Sequence, residues 1–194
     1  DGFVASIIGR FVRENPGILV ELESAGTAGV VEGIVSQSFD VGIASATLSD
    51  PLISSEPLFE TSAILALPAG DNLADRPVVP LGALDGRRMV MLPEDSEYGT
   101  VISRGLRQAG VSPDVAGIAR THASLCRMVQ AGAGLALVDR TTAADFPDPD
   151  IVFRPTEPPI TRTVAAILNA RVAQSIATKS FLDALKQGVQ GPSR

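Results

Sequence analysis

The sequence predicts an α/β protein of two lobes, and three observations carry that expectation. Helical and strand-like periodicities alternate along most of the chain, the order that builds helix-covered sheets. Residues 121–139, THASLCRMVQAGAGLALVD, read as a polar helix start, an amphipathic helix, a glycine turn and a buried strand ending on a charge. Finally, two α/β runs are separated by long extended segments. The chain would leave a first lobe near residues 67–70 and return near 158–161, with a ligand cleft between the lobes. The expected division is residues 1–67 plus 161–194 for lobe I and 68–160 for lobe II.

The elements follow in order. Phe3, Val4, Ile7, Ile8, Phe11 and Val12 fall at helical spacing, and Asn15-Pro16-Gly17 ends that helix. Residues 18–23 alternate as a strand does. A helix is expected from 24–27 to about 37, burying Val30, Val31, Ile34 and Val35, followed by a short strand at 39–45. This α-β-α-β opening predicts a mostly parallel sheet. Extended stretches at 53–59 and 62–67 lead to a loop region marked by Pro68, Pro77, Pro80 and Gly82. A second α/β run comprises a strand at 88–92, a helix at 97–109 closed by Gly110, and a strand at 115–119. Leu125, Met128 and Val129 then mark a helix that Gly132 and Gly134 stop, and 135–138 form a strand apolar on both faces. Strands at 151–153 and 163–168 flank a turn at 155–159, and a last helix spans 174–188.

Composition narrows the function. With 45% apolar and 20% charged residues, the 194-residue chain can form a core. No apolar run approaches the roughly 18–20 residues of a membrane span, and no secretory signal opens the chain. The net charge of −6 leaves no basic stripe for phosphates, and seven Phe, one Tyr and no Trp make a poor base-stacking platform. Nucleic acid is therefore not expected to bind this chain by itself. The single cysteine, Cys126, excludes an internal disulfide and fits a reducing compartment.

Two polar helix starts are the candidate binding features. One gathers Thr121, His122 and Ser124; the other centres on Ser96, between Asp95 and Glu97. Free N–H groups and the helix dipole make such ends seats for an anion. Thr27 and Ser96 read equally as plain N-caps worth about 1 kcal/mol each. Tyr98 either contacts a ligand or lies on the outside of its helix. Asp95 and Glu97 are either solvated or, facing a cleft, select a cationic group. Catalysis is not expected, because His122 is the only histidine and Ser124 and Cys126 share its helix. One His and one Cys make no zinc site without carboxylates placed to complete it, and the sequence shows no such arrangement. The Gly132–Gly134 pair follows a helix and precedes a strand, the wrong order for a dinucleotide fingerprint. The expectation is binding with no enzyme activity, no metal and no cofactor.

The series FVRENPGILVELESAGTAGVVEGIVSQSFDVGIAS resembles the first half of the effector-binding domain of LysR-type transcriptional regulators. Phe11 to Pro16 match that family's F-x-x-x-x-P helix exit. Val129, Gly132, Gly134, Leu135, Ala136, Leu137 and Val138 match its V-x-x-G-x-G-I-A-L-L-P segment, except that Asp139 stands where the family has Pro. The resemblance implies two Rossmann-like lobes joined by two crossover strands, a fold like type 2 periplasmic binding proteins. It implies a small carboxylate-bearing effector held by Thr27, Ser45, Ala46, Thr47, Ser96, Tyr98, Thr121 and His122. It further implies a cytoplasmic homodimer or homotetramer without membrane contact, which meets DNA only through a domain lying outside this chain. The first helix, with Phe3, Ile7 and Phe11, would present surplus apolar surface to a partner's helix 97–109. The family also has a strand before the first helix, which this sequence does not show. The alternative reading is a periplasmic or extracytoplasmic solute-binding protein for a small anionic metabolite.

Overall fold

A computed structural model describes residues 2–46, 50–144, 146 and 148–190. Thr47 lies outside the described residues, as does the side chain of Phe3. The helices are α1 (Gly2–Glu14), α2 (Thr27–Val35), α3 (Glu97–Gln108), α4 (His122–Gln130), α5 (Arg140–Ala144) and α6 (Ile176–Gln190). The strands are β1 (Gly42–Ser45), β2 (Ile53–Pro68), β3 (Val79–Pro80), β4 (Arg88–Met91), β5 (Asp114–Ile118), β6 (Ala136–Asp139), β7 (Ile151–Glu157) and β8 (Thr161–Asn169). The chain divides into two compact units, Asp1–Glu60 with Thr163–Arg194, and Thr61–Arg162. The outgoing division falls inside β2, upstream of the 67–70 boundary expected from the sequence. No helix among the described residues is long and apolar enough to cross a membrane.

In the first unit, β1 pairs antiparallel with β8, setting Gly42 opposite Ile167 and Ser45 opposite Val164. The two-residue period of β8 then sorts its side chains to opposite faces. Ala166 and Leu168 join Ile7, Leu182 and Leu185 beneath α1 and α6. Ala165 and Ile167 join Ala44 and Ile34 beneath α2. Gly42 permits that second contact, since a Cβ there would meet Val30 Cγ1 at 2.5 Å.

Two expectations fail in this unit. Ile7 and Phe11 are only 2% and 3% exposed, and Phe11 meets Phe181 edge-on at 5.2 Å. Both side chains belong to the unit's own core, so the surplus apolar face expected of α1 is absent at these positions. Residues 18–23 form no strand: among the described residues no neighbour pairs with them, and Leu19 and Leu22 are 96% and 52% exposed. Alternation describes a pleated surface, but a strand exists only where another backbone takes up its N–H and C=O groups.

In the second unit, residues 63–68 of β2 lie between β6 and β7, antiparallel to both. The end of β7 pairs parallel with β3, and β4 pairs parallel with β5. A parallel bridge joins Met89 of β4 to Leu135. The expectation of a mostly parallel sheet is therefore corrected. A parallel pair needs a long crossover, usually through a helix, as α3 supplies between β4 and β5. β7 also runs through Pro155, expected in a turn, because Pro155 closes the β2 ladder opposite Ile64. Gly134 is required where β6 begins. Its φ is 145°, and a Cβ would lie 2.6 Å from the Arg88 carbonyl oxygen.

Candidate functional site

The two polar helix starts of the second unit are built as caps. Ser96 Oγ accepts the Gly99 N–H at 3.1 Å and donates to the Pro93 carbonyl at 2.7 Å. Thr121 Oγ1 accepts the Ser124 N–H at 3.1 Å and donates to Ser124 Oγ at 2.8 Å. Both hydroxyls thus hold their own helices. In the first unit the N-cap of α2 is Gly26, and Thr27 is the first helical residue, which corrects the capping role considered for Thr27. Ser45 is buried at the end of β1, and the Ala46 N–H donates to the Thr163 carbonyl at 2.9 Å. Of the expected site residues, Thr27, Ser45 and Ala46 belong to the first unit, and Ser96, Tyr98, Thr121 and His122 to the second.

Tyr98 and His122 come together, with ring centroids 4.6 Å apart at 89°. Tyr98 is buried rather than on the outside of α3, and its hydroxyl donates to the Val138 carbonyl at 3.3 Å. That bond ties α3 to β6. His122 Nδ1 accepts the Asp139 N–H at 3.3 Å, so the neutral ring carries its proton on Nε2.

Around this pair stand three charges that no candidate set from the sequence had assembled. Asp139 Oδ1 accepts from the Thr141 N–H at 2.9 Å and the Thr141 hydroxyl at 2.6 Å. Its Oδ2 accepts from Arg162 Nη2 at 3.1 Å, while Arg162 Nη1 donates to Glu97 Oε1 at 3.2 Å. The guanidinium carbon sits 4.7 Å from the Tyr98 ring centroid, a cation–π contact, and Arg162 Nε is buried without a hydrogen-bond partner. Asp139 had one signal in the sequence: a carboxylate closing a fully apolar strand is buried, and a buried charge must be paired. Arg162 had none, because its position beside Asp139 depends on where β8 enters this unit.

The electrostatics follow from that packing. Burial pushes the His122 imidazole down to about 4, with Asp139 opposing and Arg162 adding to the shift. At neutral pH the ring is uncharged. Burial, reinforced by Asp139, raises the Tyr98 phenol, which stays protonated. Burial also acts to raise the Asp139 carboxyl, but hydrogen bonds from Thr141 and the charge of Arg162 outweigh it and hold it below the usual carboxylate range. Burial pushes Cys126 up to about 11, leaving a thiol rather than a nucleophilic thiolate. Among the described residues no group of three or more His, Cys, Asp or Glu side chains is placed to hold a metal. The arrangement offers recognition by charge and shape.

Structural comparison places the fold. The regulatory domain of CcmR from Synechocystis PCC6803, solved with 2-PG, superposes with a TM-score of 0.88 at 18% identity, covering 97% of this chain and 92% of that one. The BenM effector-binding domain with benzoate gives a TM-score of 0.83 at 19% identity, covering 97% and 89%. The chain belongs to the LysR substrate binding domain family, whose pattern it matches over residues 1–190. Among curated relatives, the regulatory protein NocR of Agrobacterium tumefaciens (strain T37) is 26% identical over 188 residues, covering 95% of this chain and 63% of NocR. The chain therefore spans less than two thirds of the length of that relative.

Proposed function

We propose that this chain is the effector-sensing part of a LysR-type transcriptional regulator. It binds a small carboxylate-bearing metabolite and relays that event to a DNA-binding domain outside this chain, acting in the cytoplasm without catalysing a reaction. The observation that carries the reading is the family match over residues 1–190, which favours a regulator over an extracytoplasmic solute receptor. The bound ligands of similar folds, benzoate on BenM and shikimate on QuiR, support a small carboxylate-bearing effector. The Tyr98–His122–Asp139–Arg162 cluster supplies the polar recognition surface of the second unit. Signalling requires that the ligand favour one arrangement of the protein over another.

The reading includes self-association as a homodimer or homotetramer. The exposed Leu19 and Leu22, on a segment that pairs with no strand among the described residues, support it in place of α1. A thermal-shift screen of the chain against amino acids, aromatic acids and sugar acids tests the sensing function. A bound ligand at a hundred times its Kd raises stability by about 2.7 kcal/mol. Failure of every class to shift the melting curve, or turnover of a hit, overturns the reading.

A further inference from the structure

Resting on the effector-sensing reading, we propose that Asp139 and Arg162 form one abutment on which both crossing strands bend. His122 connects that abutment to the polar surface of the second unit, so a ligand engaging His122 or Tyr98 acts on the residues that hold the crossings.

The chain passes between the units twice, after Glu60 in β2 and after Arg162 in β8. On the outgoing strand, Ala63 is the first residue of β2 with a ladder partner in the second unit among the described residues, and that partner is Asp139. The Ala63 N–H donates to the Ile160 carbonyl at 2.8 Å, tying the two crossings together just inside the unit. Ile160 is seated in turn against α3, where a Cβ on Gly105 would meet its Cδ1 at 2.7 Å. On the return strand, Arg162 is the last residue of the unit, and its guanidinium holds Asp139 at 3.1 Å and Glu97 at 3.2 Å. Thr163, the next residue, is held by the other unit, its carbonyl accepting the Ala46 N–H at 2.9 Å. Neighbouring residues of one strand thus answer to different units, and rotation concentrates in the linkage between them.

Asp139 serves both crossings, its backbone beside Ala63 and its carboxylate on Arg162. Its N–H donates to His122 Nδ1 at 3.3 Å, and His122 stands edge-on to Tyr98, whose ring carries the Arg162 guanidinium. A displacement of either ring therefore reaches both strands through one residue. A proline at this position would have neither the N–H nor the carboxylate.

The test uses the whole chain with nitroxide labels on introduced cysteines, Cys126 being fully buried. Ser180→Cys with Gln108→Cys puts one label on an exposed position of each unit, and Gln108→Cys with Ala131→Cys puts both on the second. Pulsed EPR reads the spread of distances in the natural chain, in Arg162→Gln and in Asp139→Asn. Either substitution is expected to broaden the between-unit spread and leave the within-unit spread unchanged. The Ala63 amide should exchange its hydrogen at least about tenfold faster, the loss of one hydrogen bond to a charged group. The Val90 amide, bonded to the Leu135 carbonyl, should keep its rate. The double variant should add little to either single one, because the two residues make one contact. Arg162→Lys, which keeps a charge for Asp139, should give an intermediate spread and serves where Arg162→Gln does not fold. An unchanged between-unit spread, equal broadening within the second unit, or a Val90 amide that quickens as much as Ala63 overturns the proposal. A metabolite that shifts the melting curve beside an unchanged spread leaves the sensing function standing and this assignment failed; broadening with no such metabolite does the reverse.

Discussion

The most exacting prediction concerns protons on His122. Its ring is held near a pKa of about 4 by burial, against 6.5 for a free imidazole. Between those two values the unfolded chain takes up a proton that the folded one refuses. The sign follows directly: this group leaves stability untouched well above pH 6.5, lowers it steadily as pH falls toward 4, and adds nothing further below that. At one pKa unit per 1.36 kcal/mol, the loss between pH 7 and pH 5 is about 2 kcal/mol from this residue. Asp139, whose pKa lies below its usual 3.8, stays ionised across the window and begins to cost stability only at lower pH. The two effects therefore separate on the pH axis.

The assay is urea unfolding at pH 7, 6 and 5 for the natural chain and for His122→Asn, which keeps an acceptor for the Asp139 N–H but cannot titrate. The natural chain should lose about 2 kcal/mol more than the variant over that range. Direct titration of the ring resonance should show a midpoint far below 6.5. A midpoint near 6.5, or parallel stability curves for the two proteins, would mean that the imidazole is not packed against Tyr98 and β6 as described.

Other outcomes follow from the packing. Ser96→Ala and Thr121→Ala should each lower stability by about 1 kcal/mol, since both hydroxyls cap their helices; unchanged melting of either variant would contradict the cap. Phe11→Ala should cost about 3–5 kcal/mol as the core around Phe181 opens, measured by denaturant unfolding. Gly134→Ala forces a side chain into φ 145° against the Arg88 carbonyl and should destabilise by at least about 1–3 kcal/mol. Replacing Leu19 and Leu22 together with Ser should weaken self-association in light scattering while leaving the unfolding midpoint within about 0.5 kcal/mol, as exposed positions do.

The contrast between what sequence showed and what it hid has a physical pattern. Local signals were read well at the Ser96 cap, the glycine turn before β6, and the helices α3, α4 and α6, which are decided within a few residues of chain, whereas the cap considered at Thr27 falls on Gly26. Signals that need a distant partner were misread. Residues 18–23 alternate like a strand but pair with no strand among the described residues, and β7 passes through Pro155 only because its ladder with β2 ends there. The site follows the same division. Tyr98 and His122 sit in the first turns of α3 and α4, where polar helix starts drew attention to them. Arg162 comes from a strand that reaches Asp139 only through the crossover of β8, a contact of sequence separation 23 that no local pattern encodes. Yet Arg162 decides the chemistry. Without it, Asp139 would be a buried carboxylate with no cation beside it, a costly arrangement. With it, the carboxylates of Asp139 and Glu97 are tied to one guanidinium that lies on the Tyr98 ring, and α3, β6 and the start of β8 meet at a single polar point.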